Sequence, residues 1–145
     1  MFEIRPIDRA DYQSWLRLWQ GYLEFYEAQL PAEITELTFD RILKGEIHGV
    51  IAVDENGREL GFVHWLTHKS TWADKDVCYL EDLFVSIDAR RQGLATALIE
   101  HVASWAKQQG IQKTYWLTKE SNSQARALYD QLAQRTGFIH YEIAD

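Results

Sequence analysis

The sequence predicts a mixed α/β domain of the α+β kind, built on a central, mostly antiparallel mixed sheet. Roughly six or seven strands and about four helices are expected. Three observations lead there. Before Val85, strand-period segments follow one another through short turns, the pattern of antiparallel hairpins. After Val85, strand and helix periods alternate, the pattern of crossover connections. Finally, 46% of the 145 residues are hydrophobic, enough for one buried core in a chain too short for two typical domains. Residues 1–145 are therefore expected to form a single domain.

Each element has a local reason. Phe2–Ile7 alternates in polarity and reads as a first strand. Asp8 or Asp11 offers a side-chain oxygen to cap the next helix. There Tyr12, Trp15, Leu16, Trp19, Tyr22, Leu23 and Tyr26 recur at steps of three and four, forming one apolar face. Pro31 separates it from a shorter helix around Leu37–Lys44, stopped by Gly45. Gly49–Val53 and Leu60–His68 are strands joined through Asn56-Gly57, a strong hairpin signal.

Val77–Val85 supplies the central strand. Alternation assigns Tyr79, Glu81, Leu83 and Val85 to one face and Cys78, Leu80, Asp82 and Phe84 to the other. The helix Leu94–Gln109 buries Leu94, Leu98, Val102 and Trp105 and ends at Gly110. Ile111–Thr118 is the next strand. Ser121 and Gln124 have the spacing of a capping box for a helix carrying Tyr129, and Phe138–Ile143 closes the sheet.

Composition narrows the function. A net charge of −7 argues against a general nucleic-acid binder, which needs a basic face. No apolar run approaches the ~20 residues of a membrane helix, and Met1–Pro6 lacks the basic and apolar regions of a signal peptide. The single Cys78 has no internal partner, which fits a reducing cytoplasm, and within a strand it reads as a small buried residue. Charge is uneven. Glu24, Glu27, Glu33, Glu36, Asp40 and Glu46 face only Arg41 and Lys44 between residues 24 and 46, whereas bases outnumber acids from Ser86 to Lys113. An acidic region can attract a cation while a basic one holds an anion; the same acids also suit a plain solvated helix face.

The anion site has a specific place. Tyr79-Leu80-Glu81-Asp82-Leu83-Phe84-Val85 runs into Arg90-Arg91-Gln92-Gly93-Leu94-Ala95-Thr96, a basic glycine-containing loop that opens a helix. Such a loop presents free amides and the positive end of a helix dipole. A dinucleotide site would need Gly-x-Gly-x-x-Gly after the first strand, and a Walker A loop would need Gly-Lys-Ser/Thr; neither is present. An ordinary amphipathic helix start also accounts for the loop taken alone.

Arg90, Gly93 and Ala95 resemble the Arg/Gln-x-x-Gly-x-Gly/Ala acyl-CoA loop of the GNAT N-acetyltransferases. Downstream, Tyr115-Trp116-Leu117-Thr118, Ser121–Asp130 with Ala125-Arg126-Ala127-Leu128-Tyr129-Asp130, and Gly137-Phe138-Ile139 resemble the second half of that fold, in the right order. The likeness is close from about Val77 onward and rests on pattern before it. Together with Tyr79-Leu80-Glu81-Asp82-Leu83, these segments look most like the polyamine-type and yeast histone/polyamine-type branch. Many members read Tyr-x-x-Leu-Gly-Phe, whereas here Ala133-Gln134-Arg135-Thr136 separates Leu132 from Gly137, a longer helix end that the yeast-like branch shares.

The resemblance implies a GNAT fold, acetyl-CoA as cosubstrate and acetyl transfer to a primary amine in a ternary complex. A small cationic amine such as a polyamine fits the acids of the N-terminal half. A protein lysine or N-terminus as acceptor, or a non-catalytic CoA-binding sensor, are the other readings. By the same likeness, Arg90, Arg91, Gln92, Gly93, Leu94, Ala95 and Thr96 would bind the pyrophosphate, and Leu83, Phe84 and Val85 the pantetheine arm. That arm would pair like an added strand. Asn122 would cap its helix and contact CoA, and a homodimer is a further expectation.

Acyl transfer to an amine needs a base for the ammonium and an acid for the leaving thiolate. Glu81 would serve as base through water, or simply satisfy neighbouring backbone. Tyr129 would be the acid, since a phenol of pKa ~10 stays protonated at neutral pH; a core tyrosine beside Ala125 and Leu132 is the plainer reading. Trp19, Tyr22, Tyr26, Glu81 and Asp82 are the candidate acceptor-binding residues. His64 and His68 are four apart on a strand, which is not the helical zinc spacing, so no metal is expected. His64, next to Trp65, could face the acceptor; a satisfied sheet residue is the plainer reading.

Overall fold

The structure, a computed structural model, describes residues 1–145. Its elements are β1 (Phe2–Pro6), α1 (Tyr12–Phe25), α2 (Ala32–Leu43), β2 (His48–Asp54), β3 (Glu59–His68), β4 (Val77–Val85), α3 (Leu94–Gln108), β5 (Thr114–Tyr115) and α4 (Ser123–Leu132). One sheet has the order β1-β2-β3-β4-β5, antiparallel throughout except for the parallel β4–β5 pair. Short turns impose the antiparallel pairs, and the α3 crossover imposes the parallel one.

Each face of the sheet carries its own apolar cluster. On one side Val50, Ala52, Val63, Trp65 and Leu80 pack against Leu94, Leu98, Ile99, Val102 and Ala106 of α3. On the other, Ile51, Val53 and Phe62 pack against Trp15, Leu18 and Trp19 of α1 and Phe39 and Ile42 of α2. α1 approaches β4 closely because residue 21 is glycine: a Cβ there would stand 2.9 Å from Cζ of Phe84.

Asp8 caps a 3₁₀ turn at Arg9–Asp11 that leads into α1, with Asp11 completing a reciprocal capping box. α2 begins at Ala32 rather than near Leu37. Pro31 sets the entry angle, Ile34 N–H bonds its carbonyl, and the first turn supplies Thr35 to the core. The hairpin tip is sealed by Asp54, whose side chain accepts from the amides of Asn56 and Arg58.

Three expectations are corrected. The last strand is absent: no ladder partner receives Phe138–Ile143, and Phe138, Ile139, Tyr141 and Ile143 are exposed. The sheet therefore has five strands rather than six or seven. β5 spans two residues of the expected Ile111–Thr118, because it pairs with β4 only at Cys78↔Thr114 and Tyr79↔Tyr115 before the two diverge. The alternation assigned to β4 breaks at a β-bulge. His64 faces Asp82 while Trp65 faces Leu80, so Glu81 is the extra residue. Cys78, Leu80, Leu83 and Val85 therefore share the α3 side, and Phe84 lies with the α1 cluster.

Candidate active site

Where β5 parts from β4, a cleft opens. Leu80, Glu81 and Leu83 of β4 form one wall, Trp116 and Leu117 beyond β5 the other, with Ile99, Tyr26 and Tyr129 closing the ends. A bulge re-aims the residue it inserts, which explains how Glu81 reaches this cleft from a strand otherwise buried in the sheet. Tyr129 is half-buried on α4, its ring edge-on to Trp116 at 5.5 Å. Burial, with Tyr26 nearby, pushes its phenol up to about 12. Partial burial and then the neighbouring Asp82 raise the Glu81 carboxyl above its ordinary value.

The basic loop lies at the start of α3. Gly93 is its N-cap in the left-handed region (φ 79°), Arg91 is also left-handed (φ 68°), and no side chain caps the helix. The amides of Arg91, Gln92, Gly93, Leu94, Ala95 and Thr96 have no protein acceptor; the first bonded amide is that of Ala97, to the Gly93 carbonyl. Six free donors and a helix dipole suit a phosphate group. Nothing lies within 4 Å of where a Gly93 Cβ would stand, so the cradle is open. Arg90 is anchored by its Nε to the Val85 carbonyl (3.0 Å), with its guanidinium over Phe25 and Phe84. These residues fit a CoA pyrophosphate. No group of three or more His, Cys, Asp or Glu side chains is arranged to hold a metal.

The structure separates the acceptor candidates. Glu81 and Tyr26 line the cleft. Trp19 does not: it is 5% exposed, and its indole N–H donates to Thr35 Oγ1 in the core between α1 and α2. Tyr22 is half-buried and donates its hydroxyl to Asp82 (2.6 Å). Asp82, only 14% exposed, accepts from a protein donor on each carboxylate oxygen, Tyr22 on one and His64 on the other. Burial raises the phenols of Tyr22 and Tyr26 as well, with Asp82 adding to both shifts.

Asn122 is the N-cap of α4 but makes no capping bond; its Nδ2 donates to Thr118 Oγ1 (3.3 Å). The capping box expected of Ser121 and Gln124 does not form. Arg126 instead reaches back to the Glu120 carbonyl and ties the helix start to the preceding turn. Sequence reasoning did not assign Trp116, Leu117, Leu80 or Ile99 to the cleft. Trp116 and Leu117 lie in the Tyr-Trp-Leu-Thr segment, but their role depends on β5 ending early. Lys119, with Nζ 5.8 Å from the Tyr26 ring, was also missed.

The profile of the acetyltransferase (GNAT) family matches residues 13–133. The chain is 34% identical over 142 residues to the D-amino-acid N-acetyltransferase HPA3 of Saccharomyces cerevisiae, covering 96% of this chain and 88% of that protein. It is 29% identical over 140 residues to the N-acetyltransferase YhfO of Bacillus subtilis, covering 95% and 94%. Among solved structures, AAC(6')-Iy in complex with the bisubstrate analog CoA-S-monomethyl-acetylneamine superposes with a TM-score of 0.86 at 20% identity, covering 100% and 99%. The chain belongs to the GNAT acetyltransferase family, enzymes that transfer an acetyl group from acetyl-CoA to an amine.

Proposed function

We propose that the chain acetylates a small primary amine by direct attack within a ternary complex in the cleft between β4 and β5. The observation that carries this reading is the run of six unpartnered amides from Arg91 to Thr96 at the start of α3, the helix whose Ile99 lines the cleft that holds Tyr129 and Glu81. The loop takes the pyrophosphate, with Arg90 beside it. Backbone groups of Leu83, Phe84 and Val85 run alongside the pantetheine arm where β5 no longer pairs with β4. Asn122 at the start of α4 contacts the same ligand.

Acetyl-CoA supplies an activated acetyl group as a thioester. Glu81, through a water, takes a proton from the acceptor's ammonium and frees the nitrogen lone pair. As the C–N bond forms and the C–S bond breaks, Tyr129 gives its proton to the departing sulfur. The second nitrogen proton returns to the phenol, and Glu81 releases its own to solvent, so one proton is liberated per turnover.

For the acceptor, a cationic amine such as a polyamine is supported by Glu81 in the cleft, by the Tyr26 ring and by the exposed acids between Glu24 and Glu46. An amino acid is the second reading, supported by the named activity of HPA3 and by the Lys119 ammonium over Tyr26, a counter-charge for a carboxylate. The exposed Phe138, Ile139, Tyr141 and Ile143 support a homodimer in which a second copy covers this segment. The lone Cys78, buried and unpaired, favours a reducing compartment such as the cytoplasm.

The test is thiol release from acetyl-CoA with spermidine, lysine, D- and L-amino acids and a histone-tail peptide, each at two salt concentrations. A salt-weakened preference for spermidine supports the polyamine reading. Preference for a D-amino acid supports the second, and preference for the peptide overturns both. Binding of CoA with no turnover on any amine leaves only a sensor module.

A further inference from the structure

Beneath the cleft lies a buried polar chain that the transfer chemistry above does not use. Trp15 Nε1 donates to His64 Nε2 (3.0 Å), His64 Nδ1 meets Asp82 Oδ2 (2.9 Å), and the Tyr22 hydroxyl donates to Asp82 Oδ1 (2.6 Å). Trp15 is fully buried and His64 is 1% exposed. An indole N–H only donates, so His64 Nε2 must accept. That places the ring's single proton on Nδ1, where it donates to Asp82. The chain thus leaves α1 at Trp15, crosses β3 and β4 and returns to α1 at Tyr22, and its one carboxylate adjoins the bulged Glu81.

Such a network is expensive to build. A buried carboxylate and imidazole cost free energy unless both are fully satisfied, and Asn or an apolar residue would serve the sheet as well. What an apolar replacement lacks is a fixed negative charge behind Glu81. We infer that Asp82 is a positioning residue: anchored by Tyr22 and His64, its charge keeps Glu81 ready to take the acceptor's proton. This rests on the reading of Glu81 as the base.

The titratable groups facing Glu81 are Asp82 and Tyr79 on its own strand, His64 on β3 and Tyr22 on α1. Tyr26, Tyr115 and Tyr129 approach from the end of α1, β5 and α4. The nearest ammonium groups, Lys119 and Lys113, lie over the rings of Tyr26 and Tyr115. Asp82 is the single carboxylate in this set, so removing its charge changes the field at Glu81 most.

The experiment compares pH profiles of kcat/KM for the wild type, Asp82→Asn, Tyr22→Phe and Glu81→Gln, with 13C NMR titration of the Glu81 carboxyl. Asp82→Asn keeps acceptors and donors in place, since the Tyr22 hydroxyl can rotate to accept. It is expected to move the acid limb and the Glu81 titration toward lower pH by about one unit. Tyr22→Phe leaves the charge but removes a donor that shields it, moving both toward higher pH by roughly a few tenths of a unit. A limb unmoved in Asp82→Asn, with stability alone reduced, overturns the inference and leaves a structural tie. If Asp82→Asn does not fold, an unmoved limb in Tyr22→Phe does the same. Loss of the limb in Glu81→Gln upholds Glu81 as the base whatever Asp82 does; a profile unchanged by Glu81→Gln removes the base reading itself.

Discussion

The ring of Tyr129 on α4 stands edge-on to that of Trp116, their centroids 5.5 Å apart and their planes at 72°. The contact crosses the gap left by the short β5 and fixes the phenol in the cleft wall. Because burial holds that phenol up near about 12, it remains protonated through the working pH range. Tyr129→Phe keeps the ring contact and removes only the proton donor. Turnover is expected to fall on the order of 100-fold with acetyl-CoA binding and stability little changed. In the wild type, no alkaline limb from this group is expected below about pH 11, since its raised value keeps the acid form present. Unchanged turnover in Tyr129→Phe, with chemistry rate-limiting, would return Tyr129 to a packing role.

Glu81 is shifted in the same direction but is needed in its ionised form. Its carboxyl is raised by partial burial and by Asp82, so its base form appears at higher pH than for an ordinary glutamate. Activity is therefore expected to climb with pH through that raised value and to be lost below it. Glu81→Gln should leave CoA affinity unchanged and depress the rate most above that raised value, where the wild-type carboxylate is ionised, with the two rates converging below it. Steady-state rates from about pH 5.5 to 9 check this.

Gly61 fixes the spacing between β3 and β4. It pairs with Val85, and a Cβ at residue 61 would stand 2.6 Å from the Phe84 carbonyl oxygen and 3.2 Å from the Val85 Cα. Both neighbours are backbone and cannot swing aside. Gly61→Ala is expected to cost about 2 kcal/mol of stability and to weaken CoA binding by displacing Phe84 and Val85. Denaturant melts read the first effect and calorimetry the second; a melt identical to wild type would contradict the packing described.

Arg5 and Asp11 form a two-point ion pair, Nη1–Oδ2 2.8 Å and Nη2–Oδ1 2.9 Å, and the Asp8 amide donates to the same carboxylate. The Arg5 hydrogen bond is the main reason the Asp11 carboxyl is held below its ordinary value. A depressed carboxylate stabilises the fold fully above its unfolded value, and that contribution is lost as pH falls through the folded one. Asp11→Ala is expected to lower stability by about 2 kcal/mol near neutral pH. The gap should narrow below about pH 4, as the wild type loses the same contribution.

Much of this molecule is legible in its sequence, for reasons that differ by element. The apolar steps from Tyr12 to Tyr26, the Asn56-Gly57 turn and the α3 run closed by Gly110 are local signals, and the structure follows them. Gly93 could be placed from the Arg90-Arg91-Gln92-Gly93-Leu94-Ala95 pattern of a basic loop opening a helix, and the structure adds that it is a left-handed N-cap. What was not legible depends on pairing across the chain. The bulge at Glu81 is set by register against His64 and Trp65, and no feature of β4 alone marks it. Phe138–Ile143 has the composition of a strand, but strand formation also requires an edge to pair with. Trp19 and Tyr22 share one helical stripe, and only the packing of α2 and β4 shows that one bonds Thr35 and the other Asp82.

Backbone amide NMR on 15N-labelled protein titrated with CoA tests the cleft assignment most directly. The largest shifts are expected at Arg91–Thr96 and Leu83–Val85, with smaller ones at Asn122 and Tyr129, and Gly93→Pro should weaken binding more than about tenfold. Shifts centred instead on the groove of Arg9, Tyr12, Glu36 and Phe39, formed by the start of α1 and by α2, would contradict the assignment.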